Sequence, residues 1–229
     1  VLLLRHGRTT SNADGTLAGR TSVGLDDNGL KQAAAVGERL RDLPLAEVVT
    51  SPLKRCRQTV ATALPEARPH VESGLTECGY GEWEGQKLRT LAKQPLWRVV
   101  QSHPSAVTFP AGESMAAMSA RAVAAVRTWD AQVTGTAGPE ALWLACSHAD
   151  VIKAIVADAL GLHLDLFQRL TVDPASITVI RYTPGRPFLI RLNDSGAGLT
   201  SLVTAKRPRR RRASANASDA VLGGGAGTA

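Results

Sequence analysis

Cysteine is sparse in this chain of 229 residues, and its three copies, Cys56, Cys78 and Cys146, sit far apart. An odd count with no Cys-x-x-Cys pair argues against a disulfide framework and a thiolate zinc site, and a reducing cytoplasmic setting is expected. No apolar run approaches the roughly 20 residues that a membrane helix needs. The chain opens at Val1 with no initiator Met, which leaves open whether residues lie upstream, and the apolar run as it stands is too short for a signal peptide. No paired-Asp motif or His-x-x-x-His spacing occurs, so neither a metal nor a cofactor is expected. Net charge is also small where folding is expected. Of the formal +7, Lys206, Arg207 and Arg209 to Arg212 set against Asp219 account for +5 beyond residue 200, leaving +2 for residues 1–200.

What is present is an alternation of short apolar runs with helical periods. Val1 to Leu4 reads as a strand buried on both faces, stopping at Arg5-His6-Gly7. Asp26 to Arg41 reads as a helix with Leu30, Ala33, Ala34, Gly37 and Leu40 on one face. Ala46 to Thr50 reads as a second strand, Ser51 as an N-cap and Pro52 as the first residue of a helix running to about Ala63. His70-Val71 is a short third strand, and Gly74 to Gly85 is loop-like. Gln86 to Gln101 is helical with a break at Pro95, and Ser114 to Val133 has a long helical period. Ala141 to Cys146 is another buried strand, followed by Ser147-His148 and a helix over Asp150 to Leu160. Ser176 to Tyr182 and Phe188 to Leu192 form a closing hairpin.

This pattern predicts a three-layer α/β/α sandwich with a mostly parallel central sheet over residues 1–200. Residues 201–229 are expected to be a disordered, basic, Ala- and Gly-rich tail. In such sheets ligands bind beyond the carboxyl ends of the strands. Those ends carry Arg5-His6, then Ser51 with Arg55 one turn later, then His148, so two His and two Arg converge on one edge.

Arg5-His6-Gly7 is followed by Asn12, Ala18-Gly19-Arg20, Ser51-Pro52-Leu53-Lys54-Arg55, Leu75-x-Glu77, Gly81-Glu82-Trp83-Glu84-Gly85 and Ser147-His148. The set resembles the histidine phosphatase superfamily, with the phosphoglycerate-mutase-like fold, over roughly residues 1–192. The resemblance implies a phosphate pocket of Arg5, His6, Arg55 and His148, with His6 as nucleophile and Glu77 as general acid. Glu82, in the same loop, is the alternative acid. Asn12 matches a phosphate-contacting side chain and Gly19 a backbone contact. The chemistry agrees: phosphoryl transfer needs a positioned nucleophile and fixed donors for three charged oxygens. Guanidiniums are permanently charged donor forks, and as neighbours they disfavour imidazolium, keeping a lone pair on His6.

Position 8 departs from the family pattern, with Arg8 where much of the family carries Glu or Gln. As a cation near the pocket mouth it is a candidate substrate-binding residue, and as a solvent-facing charge it has no role in the site. His103 to Glu113 is short, whereas the family's mutases are longer here and carry extra basic residues. This favours a phosphatase acting on a small phosphorylated metabolite, with a phosphomutase as the alternative. Arg209 to Arg212 suggest a polyanion or nucleic-acid binder as a separate class. No aromatic interleaving accompanies them, so they are read as a solvated tail.

Overall fold

The computed structural model describes residues 1–197 and 222–225. Strand β1 (Leu2–Arg5) is followed by α1 (Thr10–Ala13), α2 (Asp27–Leu40), β2 (Leu45–Thr50), α3 (Lys54–Ala63) and β3 (His70–Val71). Then come α4 (Leu88–Leu91), α5 (Pro95–Ser102), α6 (Met115–Ala137), β4 (Leu142–Ser147), α7 (Ala149–Ala159), β5 (Ile177–Arg181) and β6 (Phe188–Asp194). The strands form one sheet in the order β3-β2-β4-β1-β5-β6. The first four in that order run parallel, and β5 and β6 close the edge as an antiparallel hairpin. The expected three-layer sandwich and mostly parallel sheet are therefore present.

Strand period places successive side chains on opposite faces of the sheet. Leu2 and Leu4 join Val36, Leu40, Cys56 and Val60 of α2 and α3 in one core. Leu3 joins Met118, Val126, Ile152 and Ile155 of α6 and α7 in the other. Each fully buried Leu of β1 contributes roughly 1.5–3 kcal/mol, so this four-residue strand is held from both sides. Helix α7 is buried almost all round, the behaviour of a helix in the middle of a layer.

Two local expectations change. Leu30 and Ala34 of α2 are exposed, and the buried stripe is Gly29, Ala33, Val36 and Leu40. Close backbone approaches turn the helix this way: a Cβ on Gly29 would lie 2.0 Å from the Arg8 carbonyl oxygen, and one on Gly37 would lie 2.5 Å from that of Ala63. Ser51 and Pro52 do not begin α3, whose N-cap is Leu53. The Ser51 hydroxyl is engaged instead by His148, at 2.8 Å. The tail expected at 201–229 lies largely outside the described residues; of those described, Leu222 is buried in the larger core. No described helix is long and apolar enough to cross a membrane.

The glycine contacts give opposite expectations for two alanine substitutions. Gly29→Ala should destabilise the fold by about 2–3 kcal/mol through the clash with Arg8. Gly135→Ala, on an exposed turn of α6 with nothing within 4 Å of the added carbon, should stabilise it by roughly 0.5–1 kcal/mol. Denaturant titration of both variants checks the pair; equal effects would contradict the packing described.

Candidate active site

Sheet hydrogen bonding aligns the strand ends that carry the site. Arg5 of β1 stands opposite Ser147 of β4, and Thr50 of β2 opposite Cys146. Just past the strands, the His6 N–H donates to the Ser147 carbonyl at 3.0 Å, and the Ser51 N–H to that of Cys146 at 2.9 Å. His148 then caps the start of α7, and Arg55 is the second residue of α3. His6, His148, Arg5 and Arg55 are all buried, and the two imidazole ring centres are 5.2 Å apart. The four residues that the sequence placed at one edge are in one place.

Their hydrogen bonds assign their states. His6 Nδ1 lies 2.8 Å from the Gly7 carbonyl oxygen. A carbonyl only accepts, so Nδ1 carries the hydrogen and Nε2 keeps its lone pair. The turn that presents this ring is held by the Gly7 N–H, which donates to Thr59 Oγ1 at 3.0 Å. A Cβ on Gly7 would meet the Gly29 carbonyl oxygen at 2.5 Å, so the turn admits only glycine there. The Arg55 guanidinium donates to the carbonyls of Gly19 at 2.7 Å and Thr21 at 3.3 Å, which ties the 19–21 loop to α3.

A small cavity is lined by His6, Thr9, Asn12, Leu17, Gly19, Arg55, Glu77 and Tyr80, together with Gly223 to Gly225. Asn12 uses its amide oxygen to accept from the Thr9 N–H and hydroxyl, at 3.0 and 2.9 Å. Arg5 and His148 are fully buried and do not line the cavity. Glu77 is buried, with its backbone carbonyl accepting from both Arg20 and Arg121 at 3.1 Å. Glu113 binds both of those arginines and so completes a brace around the Glu77 loop. Glu82, the alternative acid, is exposed and does not line the cavity. Arg8, expected as a candidate substrate-binding residue, does not line the cavity either: its guanidinium pairs with Asp26 at 2.8 Å. Asp26 draws it off because that carboxylate caps α2 beside the Arg8 backbone, accepting from the Gly29 N–H at 2.8 Å.

A family model for the histidine phosphatase superfamily, branch 1, matches residues 1–195. This chain belongs to that superfamily. Among its superfamily relatives, a bifunctional protein of Mycobacterium tuberculosis is 31% identical over 201 residues, 86% of this chain and 54% of that protein. The chain thus spans about half the length of that relative. A probable phosphoglycerate mutase of Klebsiella pneumoniae is 31% identical over 188 residues, covering 80% of this chain and 84% of that enzyme. Among solved structures, the mycobacterial glucosyl-3-phosphoglycerate phosphatase superposes with a TM-score of 0.76 at 25% identity, over 85% of this chain and 98% of that one.

The electrostatics of this superfamily pocket follow from burial beside cations. Burial first, then Arg55 and Arg5, hold His6 well below the usual imidazole range, against a smaller opposing pull from the Gly7 carbonyl. Burial and Arg55 do the same to His148. Glu77 moves the other way: burial and then the Asp150 carboxylate push it up to about 7, outweighing Arg55, the Cys78 N–H and Arg5. At neutral pH the site therefore combines uncharged imidazoles with a carboxyl near its titration point.

Several participants gave no signal in the sequence. Tyr80 donates its hydroxyl to Asp150 at 2.7 Å, and Lys153 stands 3.7 Å from the other oxygen of Asp150. This buried polar set faces Glu77 electrostatically, yet Asp150 and Lys153 lie on a helix that reads as apolar. Ser51 was visible only as a cap. Leu222–Gly225 lie in a stretch that composition marks as tail.

The raised acid has a stability signature. The unfolded chain ionises Glu77 near 4.5 and the folded one near 7. Between those values the folded state keeps a proton that the unfolded state has lost, so stability from this group is full below the unfolded value and declines as pH rises to the folded one. From about pH 5 to about pH 8 the native protein should lose more Tm than Glu77→Gln does. Thermal melts across that range test it, and parallel curves for the two proteins would contradict a raised Glu77.

Proposed function

We propose that this chain hydrolyses phosphomonoesters of small metabolites through a phosphohistidine formed on His6. The observation that carries the reading is the buried, uncharged His6 ring, its Nδ1 fixed by Gly7 and its neighbours two guanidiniums. Nε2 attacks phosphorus, and the bond from phosphorus to the ester oxygen breaks on the opposite side. Glu77, protonated at or below about 7, gives its proton to that oxygen, and the alcohol leaves. Its carboxylate then takes a proton from a water that attacks the phosphohistidine. The bond from phosphorus to nitrogen breaks, and phosphate and the neutral imidazole are restored.

Arg5 and Arg55 stabilise the equatorial oxygens, and His148 donates to them as charge redistributes. Ser51 holds the His148 ring for this role, and Asn12 and the Gly19 backbone supply further donors beside His6. Glu77 rather than Glu82 is the acid, because it is the carboxyl on the cavity wall. The short 103–113 segment favours water as the acceptor. Similarity to a phosphoglycerate mutase supports a second reading, in which a hydroxyl of a bound phosphoglycerate takes the phosphoryl group instead.

Release of phosphate from a metabolite panel that includes 3-phosphoglycerate and 2,3-bisphosphoglycerate tests the reading. Interconversion of phosphoglycerates faster than phosphate release would favour the mutase. Activity should persist with a chelator and disappear in His6→Ala; full activity in that variant, or loss with chelator, would refute the mechanism. Glu77→Gln should slow alkyl esters by about 10²–10⁴-fold but nitrophenyl phosphate far less, since that leaving group needs little protonation. Equal losses on both substrates would remove Glu77 from the acid role.

A further inference from the structure

The segment Leu222–Gly225 comes from the far end of the chain and sits in the cleft beside His6. Three contacts seat it. The Leu222 side chain is buried in the core that contains Leu17 and Tyr80. The Gly223 N–H donates to Asp150 Oδ2 at 2.9 Å, the same oxygen that accepts from Tyr80. Arg5 Nη2 donates to the Gly224 carbonyl, to that of Gly225 at 3.0 Å and to that of Gly223 at 3.4 Å.

The fit is specific to glycine. Gly223 and Gly224 have φ of 71° and 60°, a region that other L-residues rarely adopt. A Cβ on Gly224 would lie 2.3 Å from that of Ala149 and 2.9 Å from Arg5 Nη1. With the segment seated, the cavity beside His6 is about 30 Å³. That is room for a water or two and not for a phosphate ester. Arg5 is then fully engaged at Nη2, and its Nη1 donates to the Val172 carbonyl at 2.7 Å. Backbone carbonyls thus hold donors that a phosphate would need.

We propose that Leu222–Gly225 is a built-in competitor, an intramolecular ligand of the catalytic cleft that a substrate phosphate must displace from Arg5. The inference rests on reading the His6 cleft as the phosphate site. Its cost to the substrate is a conformational one: apparent affinity equals the intrinsic affinity multiplied by the fraction of molecules with the segment undocked. The segment raises KM and leaves kcat unchanged, because the bound ester has already replaced it. The tri-glycine stretch suits this use, since it docks closely against Arg5 and Ala149 and, among the described residues, Leu222 is the one side chain it buries.

Full-length Gly224→Val and Leu222→Asp test the proposal without touching the catalytic groups. Valine clashes only in the docked state, and aspartate cannot occupy the buried leucine site. The primary readout is the Kd for inorganic phosphate measured by calorimetry, which needs no turnover. Both variants should bind phosphate about 5-fold or more tightly than the native chain, with KM for nitrophenyl phosphate lowered by the same factor and kcat unchanged. Unchanged or weaker phosphate binding in the two variants would overturn the proposal, as would a fall in kcat/KM, the mark of a lid that assists catalysis. A purely structural segment would lower Tm without tightening phosphate binding. Tighter binding with no turnover in any of the proteins would uphold the competitor and refute the phosphatase reading.

Discussion

Two arginine side chains buried beside two histidines are the constraint on which the rest of this molecule turns. Charges removed from water are costly unless their donors are satisfied. The fold answers by aiming backbone carbonyls at them: Val172 at Arg5, and Gly19 and Thr21 at Arg55. Burial nevertheless brings Arg5 down to about 10, so it remains a cation at physiological pH. Burial first, and then these cations, keep His6 uncharged, which leaves a lone pair on its ring. Structure and reactivity therefore depend on the same carbonyl-to-guanidinium contacts.

The carboxyl side of the site is governed by the opposite sign. Glu77 is buried like the histidines, but its second influence is Asp150, a carboxylate at the start of α7. Asp150 is itself held by Tyr80 and by Lys153, whose ammonium burial pulls below the usual lysine range. One buried carboxylate thus keeps another protonated, while Arg20, Arg121 and Glu113 fix the loop that carries it. The shifts on His6 and Glu77 run in opposite directions within one cavity, the arrangement expected of a titratable pair with separate roles.

The terminal segment belongs to the same network. Its N–H meets Asp150 and its carbonyls meet Arg5, so it touches charged groups that act on both Glu77 and His6. Any ligand that engages Arg5 competes with it. The segment satisfies Arg5 Nη2 and Asp150 Oδ2, while Arg5 Nε and Asp150 Oδ1 remain buried without a hydrogen-bond partner.

The order of strands and helices and the residues at the strand ends were legible in the sequence because they depend on local pattern. Buried parallel strands read as short apolar runs, and the residues that follow them, Arg5-His6, Ser51 and Ser147-His148, inherit the carboxyl edge of the sheet. The resemblance in those motifs added the likeness to a phosphate pocket. The same resemblance favoured Glu77 over Glu82, and Glu77 is the carboxyl on the cavity wall, but the loss of Arg8 to Asp26 and the turn of α2 that exposes Leu30 were not legible. Each depends on a partner distant in the chain or on the exact approach of two backbones, which one-dimensional periodicity does not encode. The docking of Leu222–Gly225 is the extreme case. Glycine-rich composition is the same for a free tail and for a segment that must pass close to other backbones, and only the packed surfaces around Arg5, Asp150 and Ala149 distinguish them.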